Sequence, residues 1–484
     1  MSAATETPSA SRARTTDPDL PDQGPFARAY RTYFLVLMVL ISAFSVIDRT
    51  AMLTLGQAIK LDLKLSDMQF GLMSGFGFAL FYALLGLPLA RIADTRNRVR
   101  LVSVSVAIFS VFATLCGFAR SFVQLLACRM VVGVGEAGVM PPTVSVISDL
   151  YPPSRRGTAL GILSIGIPLG SLIGPIGGGY LADAYSWRTV FLLLGVPGVL
   201  IAILSWLTLR EPPRGMSERK NAQEMTAPGF LAVCRHLAVK PSFWHLMAAM
   251  AVTNFAAAGV GSFLPQYFTR TFDLSLGLTG LLFGVISALS TLGGTFSGGV
   301  IVDWISRRDH RWYVWLPAMG VSVATPLYVA SFLLPNPVIA MVILTFAGAA
   351  LFLYYAPVQV ALQNMVEPRM RATAAYIFFI VSAVVGFGFG PALLGHISDL
   401  LTARAFAGGH YHALCSGAAA GAGQACQTAS AAGLRGSMSL MSCLYLWAAV
   451  HFVLAAKTLR RDLGAAPGSP PGDALAAALA AEVV

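Results

Sequence analysis

The chain has 484 residues, 56% of them hydrophobic and only 11% charged, with a mean hydropathy of +0.70. An ordinary soluble domain carries about 25% charged side chains, so the composition excludes a water-soluble globular protein and points to a membrane. The net charge of +11 resides mostly in basic residues of short loops, the pattern of cytoplasmic membrane flanks and not of a nucleic-acid surface.

Residues 1–30 are rich in Ser, Thr, Pro and Asp and lack the apolar run of a signal peptide, so they read as a disordered cytoplasmic tail. A bilayer-crossing helix needs about 20 mostly apolar residues. Six such stretches follow, at 32–57, 68–90, 100–118, 122–149, 157–183 and 187–209, which make an N-terminal bundle over 31–209.

Span 1 holds Asp48 and Arg49 deep in its apolar run. At 1.5 Å per residue from Tyr33, Asp48 lies roughly 22 Å from the cytoplasmic edge of a core about 30 Å thick. Arg49 is turned about 100° away around the helix. After span 2, "ARIADTRNRVR" sets Asp94 four residues before Arg98, the spacing of an exposed i,i+4 pair.

In span 4, "RMVVGVGEAGVMPP" places Arg129 and Glu136 on one helix face. Arg129 comes out roughly 20 Å from the cytoplasmic side, where it can meet Asp48, and Glu136 about 10 Å closer to the cytoplasm. Ionisable groups at such depth cost several kcal/mol and face a cavity or each other. One account is a permanent Asp48–Arg129 pair that fixes helix register, although apolar residues often pack as well. The other is function. A carboxylate whose environment changes as a cavity opens to either side can couple to protons, which assigns Asp48 and Glu136 to proton coupling, with Glu136 unpaired, and Arg49 and Arg129 to a charge partner or a substrate anion.

Span 4 runs into "DLYPPSRRG", with Asp149 and Arg156. Span 5 carries Gly166, Gly170, Gly174 and Gly178 at four-residue spacing beside Pro175, a thin and bendable face that lets another helix approach closely.

A central linker over 210–240, rich in Glu, Arg, Lys and Pro, precedes six further stretches at 242–268, 275–302, 312–334, 336–363, 371–400 and 437–459. They make a C-terminal bundle over 241–462, and 463–484 is a cytoplasmic tail. This half keeps only neutral polar groups at depth, but many aromatics, of which Phe255, Tyr355 and Phe379 are expected on a hydrophobic cavity wall. Asp303 and Arg307 follow span 8. Cys415 and Cys426 share the loop between spans 11 and 12, on the non-cytoplasmic side, where a disulfide can form. No CxxC pattern suggests a metal.

The halves repeat each other. "DLYPPSRRGTA" after span 4 aligns with "NMVEPRMRATA" after span 10, Asp94 and Arg98 match Asp303 and Arg307, and Gly170, Gly174, Pro175, Gly179 and Asp183 match Gly386, Gly390, Pro391, Gly395 and Asp399. A repeated six-span unit is the layout of a transporter whose halves rock about a central site.

With these motifs the chain resembles the major facilitator superfamily between residues 30 and 462, although Ala90, Thr95 and Asn97 depart from the usual loop 2–3 signature. "GIPLGSLIGPIGGG" is similar to the antiporter motif. "DR" in span 1, "RMVVGVGEAGVMPP", "DLYPPSRRG" and "IPLGSLIG" together resemble the spinster branch of lipid transporters. The resemblance implies an all-α membrane protein of twelve transmembrane helices in two pseudo-symmetric six-helix bundles. It also implies that Asp94 closes the cytoplasmic side against the start of span 11 near Met370, with Arg98, Asp149, Arg156, Asp303 and Arg307 as further gating residues, and that the cargo is lysophospholipid-like or sphingoid.

No HExxH, GxSxG, His/Cys cluster or Walker lysine occurs, so neither an enzyme nor an ATP-driven pump is expected, and no cofactor. The expectation is a monomeric secondary transporter, proton-coupled, moving an amphiphilic substrate by alternating access among membrane lipids, in a bacterial inner membrane with both termini cytoplasmic. The runner-up is a small organic anion or drug exporter. A receptor or sensor lacks the soluble signalling domain it needs.

Overall fold

Polar residues mark where the membrane helices begin. Ser66, Asn97, Ser121, Ser186, Ser275 and Asn336 each accept a hydrogen bond from a backbone N–H in the first turn of the helix that follows, satisfying donors that lipid could not. The protein, seen in a computed structural model, is described over residues 25–217, 230–367, 370–406, 411–415 and 423–464. Most of the N-terminal tail, the middle of the linker and the C-terminal tail lie outside the described residues.

Twelve helices are long and apolar enough to cross a membrane. Spans 1 to 6 are Arg28–Thr54, Asp67–Thr95, Arg98–Cys116, Phe122–Leu150, Ser154–Ala184 and Trp187–Thr208. Spans 7 to 12 are Pro241–Phe272, Leu276–Ile305, Trp312–Leu333, Pro337–Asn364, Thr373–Ala405 and Gln424–Leu463. They form the two pseudo-symmetric six-helix bundles that the repeat implied. Span 12 corrects the sequence reading: it begins at Gln424, well before residue 437. "QACQTASAAGLRGS" is too polar to stand out by hydropathy, yet its small residues pack on span 11, where a Cβ on Gly433 would overlap Thr402.

The glycine face of span 5 meets another helix closely, and that helix is span 1. Gly166, Gly170, Gly174 and Gly178 face span 1 within their own half: a Cβ at Gly166 would come within 2.8 Å of Ser42, one at Gly170 within 2.6 Å of the Ala43 carbonyl, and one at Gly174 within 2.9 Å of Ile47. The stripe sets the backing of span 1, and so the position of Asp48 and Arg49, while the seam between the halves uses Gly179 and the Pro175 carbonyl.

That seam is built twice by the repeat. Asp183 at the end of span 5 accepts from the N–H groups of Leu276 and Gly277 at the start of span 8, at 3.1 and 2.7 Å. Asp399 in span 11 accepts from Asp67 and Met68 at the start of span 2, both at 2.9 Å. Backbones meet directly, Gly280 against Pro175 and Gly71 against Pro391. Arg270 from span 7 adds a bidentate pair with buried Asp67 at 2.7 and 2.8 Å and a bond to Gln57, while Lys60 at 2.5 Å and Ser398 at 2.7 Å complete Asp67's partners.

Every hydrogen bond that joins described residues of one half to described residues of the other lies on this face. Cys415 and Cys426 are disulfide-bonded beyond it, with Cα atoms 5.8 Å apart. On the other face, which carries Arg98, Arg156, Arg307, Arg308 and Arg460, no hydrogen bond among the described residues joins the halves. We call that side the basic face.

Candidate functional site

Between the halves lies a cavity of about 600 Å³. Its N-terminal wall is polar: Ser42, Ser45, Arg49, Arg129 and Glu136 line it. The one ion pair expected at depth is there, together with a second that was not expected.

Asp48 and Arg129 meet at 2.6 Å, and both side chains are almost fully buried. Glu136 is not unpaired as the sequence reading had it. Its Oε2 accepts from Ser45 Oγ and forms an ion pair with Arg49 Nη2, each at 2.6 Å, while Arg49 Nη2 donates to Ser45 Oγ at 2.9 Å. The turn that separates Arg49 from Asp48 on span 1 is what carries Arg49 away from Arg129 and over Glu136, and an arginine stem is long enough to bridge the offset. Phe78 lies 4.8 Å from the Arg49 guanidinium carbon, an apolar face that supports the cation in place of water.

The two pairs differ in access. Arg129 is 2% exposed, whereas the Arg49 side chain is 40% exposed into the cavity while Glu136 behind it is at 1%. Coordination is incomplete in both: Asp48 Oδ1, Glu136 Oε1 and the Nε atoms of Arg49 and Arg129 are buried without a partner. Buried charges held by too few bonds are costly.

The C-terminal wall mixes apolar and neutral polar groups. Phe379, Phe387, Phe352, Leu344 and Leu351 line it, and so do Asn254 and Tyr354. Phe379 reaches across to Tyr82 of the other half, with ring centroids 6.3 Å apart. Two wall residues named from sequence are each wrong by one position. Phe255 and Tyr355 do not line the cavity; Asn254 and Tyr354 do. One residue is about 100° around a helix, which turns Tyr355 outward, 45% exposed, and presents the Phe255 backbone to Gly390.

The gating residues of the basic face are placed differently from expectation. Asp94 is exposed and bonded to no described residue, and the contact expected with the start of span 11 is not made. Nor does it pair with Arg98, because the chain turns extended at Arg96 and restarts a helix at Asn97. Arg98 is buried and binds Asp149, Ser145, the Pro212 carbonyl and Glu211, the last at 2.6 Å. Asp149 also accepts from Gly215 N at 2.9 Å, and Arg156 reaches Ser148 O and Ser217. These three hold the start of the linker on the first half. Asp303 and Arg307 repeat Asp94 and Arg98 in sequence only; both are exposed.

Sequence reasoning missed the clasp on the far face. Its signal was present: Asp183 and Asp399 fall at matching positions of the repeat, and Lys60, Asp67 and Arg270 are charges at span ends. Among the described residues no group of three His, Cys, Asp or Glu side chains comes together to hold a metal.

The sequence profile of the Major Facilitator Superfamily matches residues 37–391. An MFS-type efflux pump of Mycolicibacterium smegmatis is 31% identical over 366 residues, covering 76% of this chain and 84% of its own. Protein spinster homolog 1 of Bos taurus is 27% identical over 413 residues, covering 80% and 78%. Among solved structures, a bacterial homolog of the human lysosomal transporter spinster, in an inward-facing and unoccupied conformation, superposes with a TM-score of 0.83 at 34% identity, over 90% of this chain and 99% of that one.

Proposed function

The chain belongs to the Major Facilitator Superfamily, and from that premise we propose that this multi-pass membrane transporter is proton-coupled and carries an amphiphilic, lipid-like anion by alternating access. The observation that carries the reading is Arg49. It is a cation open to the cavity, with a single acidic partner, on a wall that faces Phe379, Phe387 and Phe352. A charged head on Arg49 and an apolar tail on the opposite wall suit one molecule, since each buried CH₂ contributes about 0.8 kcal/mol.

Coupling follows from the pair. Glu136 and an anionic cargo compete for Arg49. A proton on Glu136 removes that competitor, frees Arg49 and so favours the anion, while the Asp48–Arg129 pair keeps span 1 registered on span 4. Proton and anion then bind together and cross together. Asp48, with one oxygen unpartnered, is the second group that a proton can reach.

Orientation rests on the positive-inside rule. The basic face is cytoplasmic, as are both chain ends, in a bacterial inner membrane. The clasped face is then the outer one, and the state described is open inward, in keeping with the conformation of the spinster homolog it superposes on. Asp94, free here, is held against span 11 only when the cytoplasmic side closes. The protein acts as a monomer among membrane lipids.

A second reading, a small-anion or drug exporter, is favoured by the likeness to the mycobacterial efflux pump. Flux into proteoliposomes under an imposed pH gradient separates the two. Lysolipids of increasing chain length should be taken up with rising affinity, driven by the acid side. A flat response to length, with tight binding of short anions, overturns the lipid reading.

A further inference from the structure

The C-terminal wall of the cavity has polar groups that no charge pair explains. Asn254, 9% exposed, lines the cavity from span 7. Its Oδ1 accepts from the Tyr354 hydroxyl at 3.0 Å, which leaves the amide N–H donors of Nδ2 without a protein partner. Span 11 fixes its place, since a Cβ on Gly386 would come within 2.7 Å of the Asn254 Cβ. Tyr328 lines the same wall from span 9, 8% exposed, with a hydroxyl that makes no hydrogen bond to the protein. Gly348 stands beside it on span 10, where a Cβ would overlap the Ser290 hydroxyl. Ser287 and Thr291, one turn apart on span 8, add two more hydroxyls to the lining.

The Asn254 and Tyr328 donors both reach the cavity surface, where an oxygen of the cargo can replace the water that otherwise satisfies them. A wall meant only to pass an alkyl tail would gain by replacing Asn254 with Leu and Tyr328 with Phe. Both donors are held rigidly and aimed into the cavity. The opposite wall supplies the charge, from Arg49.

We propose that Asn254 and Tyr328, with Ser287 and Thr291 beside them, form a second, uncharged recognition patch that binds a neutral oxygen of the cargo while Arg49 binds its anion. The cargo is then a hydroxylated or ester-bearing organic anion, read at two points, one on each half. This rests on the reading of the cavity as the transport site and narrows its substrate class. A lysophospholipid-type amphiphile and a short sugar acid share that chemistry, so the experiment must carry both.

Equilibrium binding to the purified full-length protein in nanodiscs, by tryptophan fluorescence, is measured with two matched pairs. Oleoyl lysophosphatidate is set against oleyl phosphate, which lacks the glycerol oxygens, and gluconate against hexanoate. The wild type should prefer the oxygen-bearing member of one pair by about tenfold, and Asn254→Ala should erase that preference without touching the other member. Tyr328→Phe removes a hydroxyl that bonds nothing in the protein, so it keeps the fold, and it should weaken only the oxygen-bearing member by about three- to tenfold.

If the effect occurs in the lipid pair, both this patch and the lipid reading stand. Occurring in the sugar-acid pair alone, it keeps the patch and overturns the lipid cargo. Tight binding of both lipids without preference overturns the patch and leaves the lipid cargo standing. Equal losses for both members of a pair in Tyr328→Phe, or no binding by either pair, also overturn the patch.

Discussion

Asp183 and Asp399 occupy matching positions in the two halves and act alike, since each carboxylate caps the first turn of a helix that belongs to the other half, at spans 8 and 2. A carboxylate at a helix N-terminus contributes about 0.3–1 kcal/mol when exposed and up to about 2 when partly buried. Asp183→Asn and Asp399→Asn should each shift the protein toward opening on the clasped face, by roughly two- to thirtyfold, and their effects should add. Accessibility of a single cysteine at the cavity end of span 7 to an impermeant thiol reagent measures this. Unchanged labelling in both variants would mean the caps do not hold the halves together.

Glycine contacts give a steric version of the same experiment. A Cβ at Gly280 would overlap the Pro175 carbonyl, and one at Gly71 the Pro391 carbonyl. Neither backbone can yield as a side chain does, so Gly280→Ala and Gly71→Ala should favour parting of this face by about 1–3 kcal/mol. Gly293 has open space around its Cβ position on the same span as Gly280, so Gly293→Ala should change nothing. Double electron–electron resonance distances across the face report all three.

The two arginines should fail in different ways. Arg129→Gln strands the buried Asp48 carboxylate and should lower stability by about 3–5 kcal/mol, seen as a loss of thermal stability. Arg49→Gln, at a partly exposed side chain, should leave stability nearly intact while anion affinity drops tenfold or more. A variant Arg49→Gln that binds anions normally would remove Arg49 from recognition. In Glu136→Gln the competitor is permanently neutral. That variant should bind anions tightly at all pH values, and the wild type should approach it as pH falls.

Lys60 lies between spans, beside Asp67. Burial, reinforced by the nearby Arg270 guanidinium, holds its ammonium below the ordinary lysine range, against the pull of Asp67. When the faces part, Arg270 leaves and water enters, so the open form binds the proton more tightly. Below the depressed pKa both forms are protonated and the penalty on closure is full. Between that value and the ordinary one the open form holds more protons, so rising pH should favour closure of this face. Resonance distances over an alkaline titration test it, and Lys60→Met should flatten the curve.

The spans and the repeat were legible because lipid leaves little choice: apolar length and small residues at crossings are written directly in the chain. The Asp48–Arg129 contact was legible too, from depth alone. Depth could not find Arg49–Glu136, since that contact depends on side-chain reach and on rotation about the helix. The same one-residue uncertainty in rotation named Phe255 and Tyr355 where Asn254 and Tyr354 line the wall. Span 12 escaped because its first turns are held by packing of Ala, Gly and Ser and not by hydropathy. Asp94 was read from the resemblance as a contact with the start of span 11, and it makes no bond to a described residue.

The cluster around Asp67 holds its charges in a particular distribution. Lys60 and Asp67 belong to the first half; Arg270 and Asp399, close enough to feel each other's charge, belong to the second. Each half therefore owns one acid and one base. Separation would break the Arg270–Asp67 pair, but Asp67 would leave with Lys60 and Arg270 with Asp399. Opening exchanges neighbours and creates no bare ion, so a seal of buried charges can be strong at rest and still be crossed within a transport cycle.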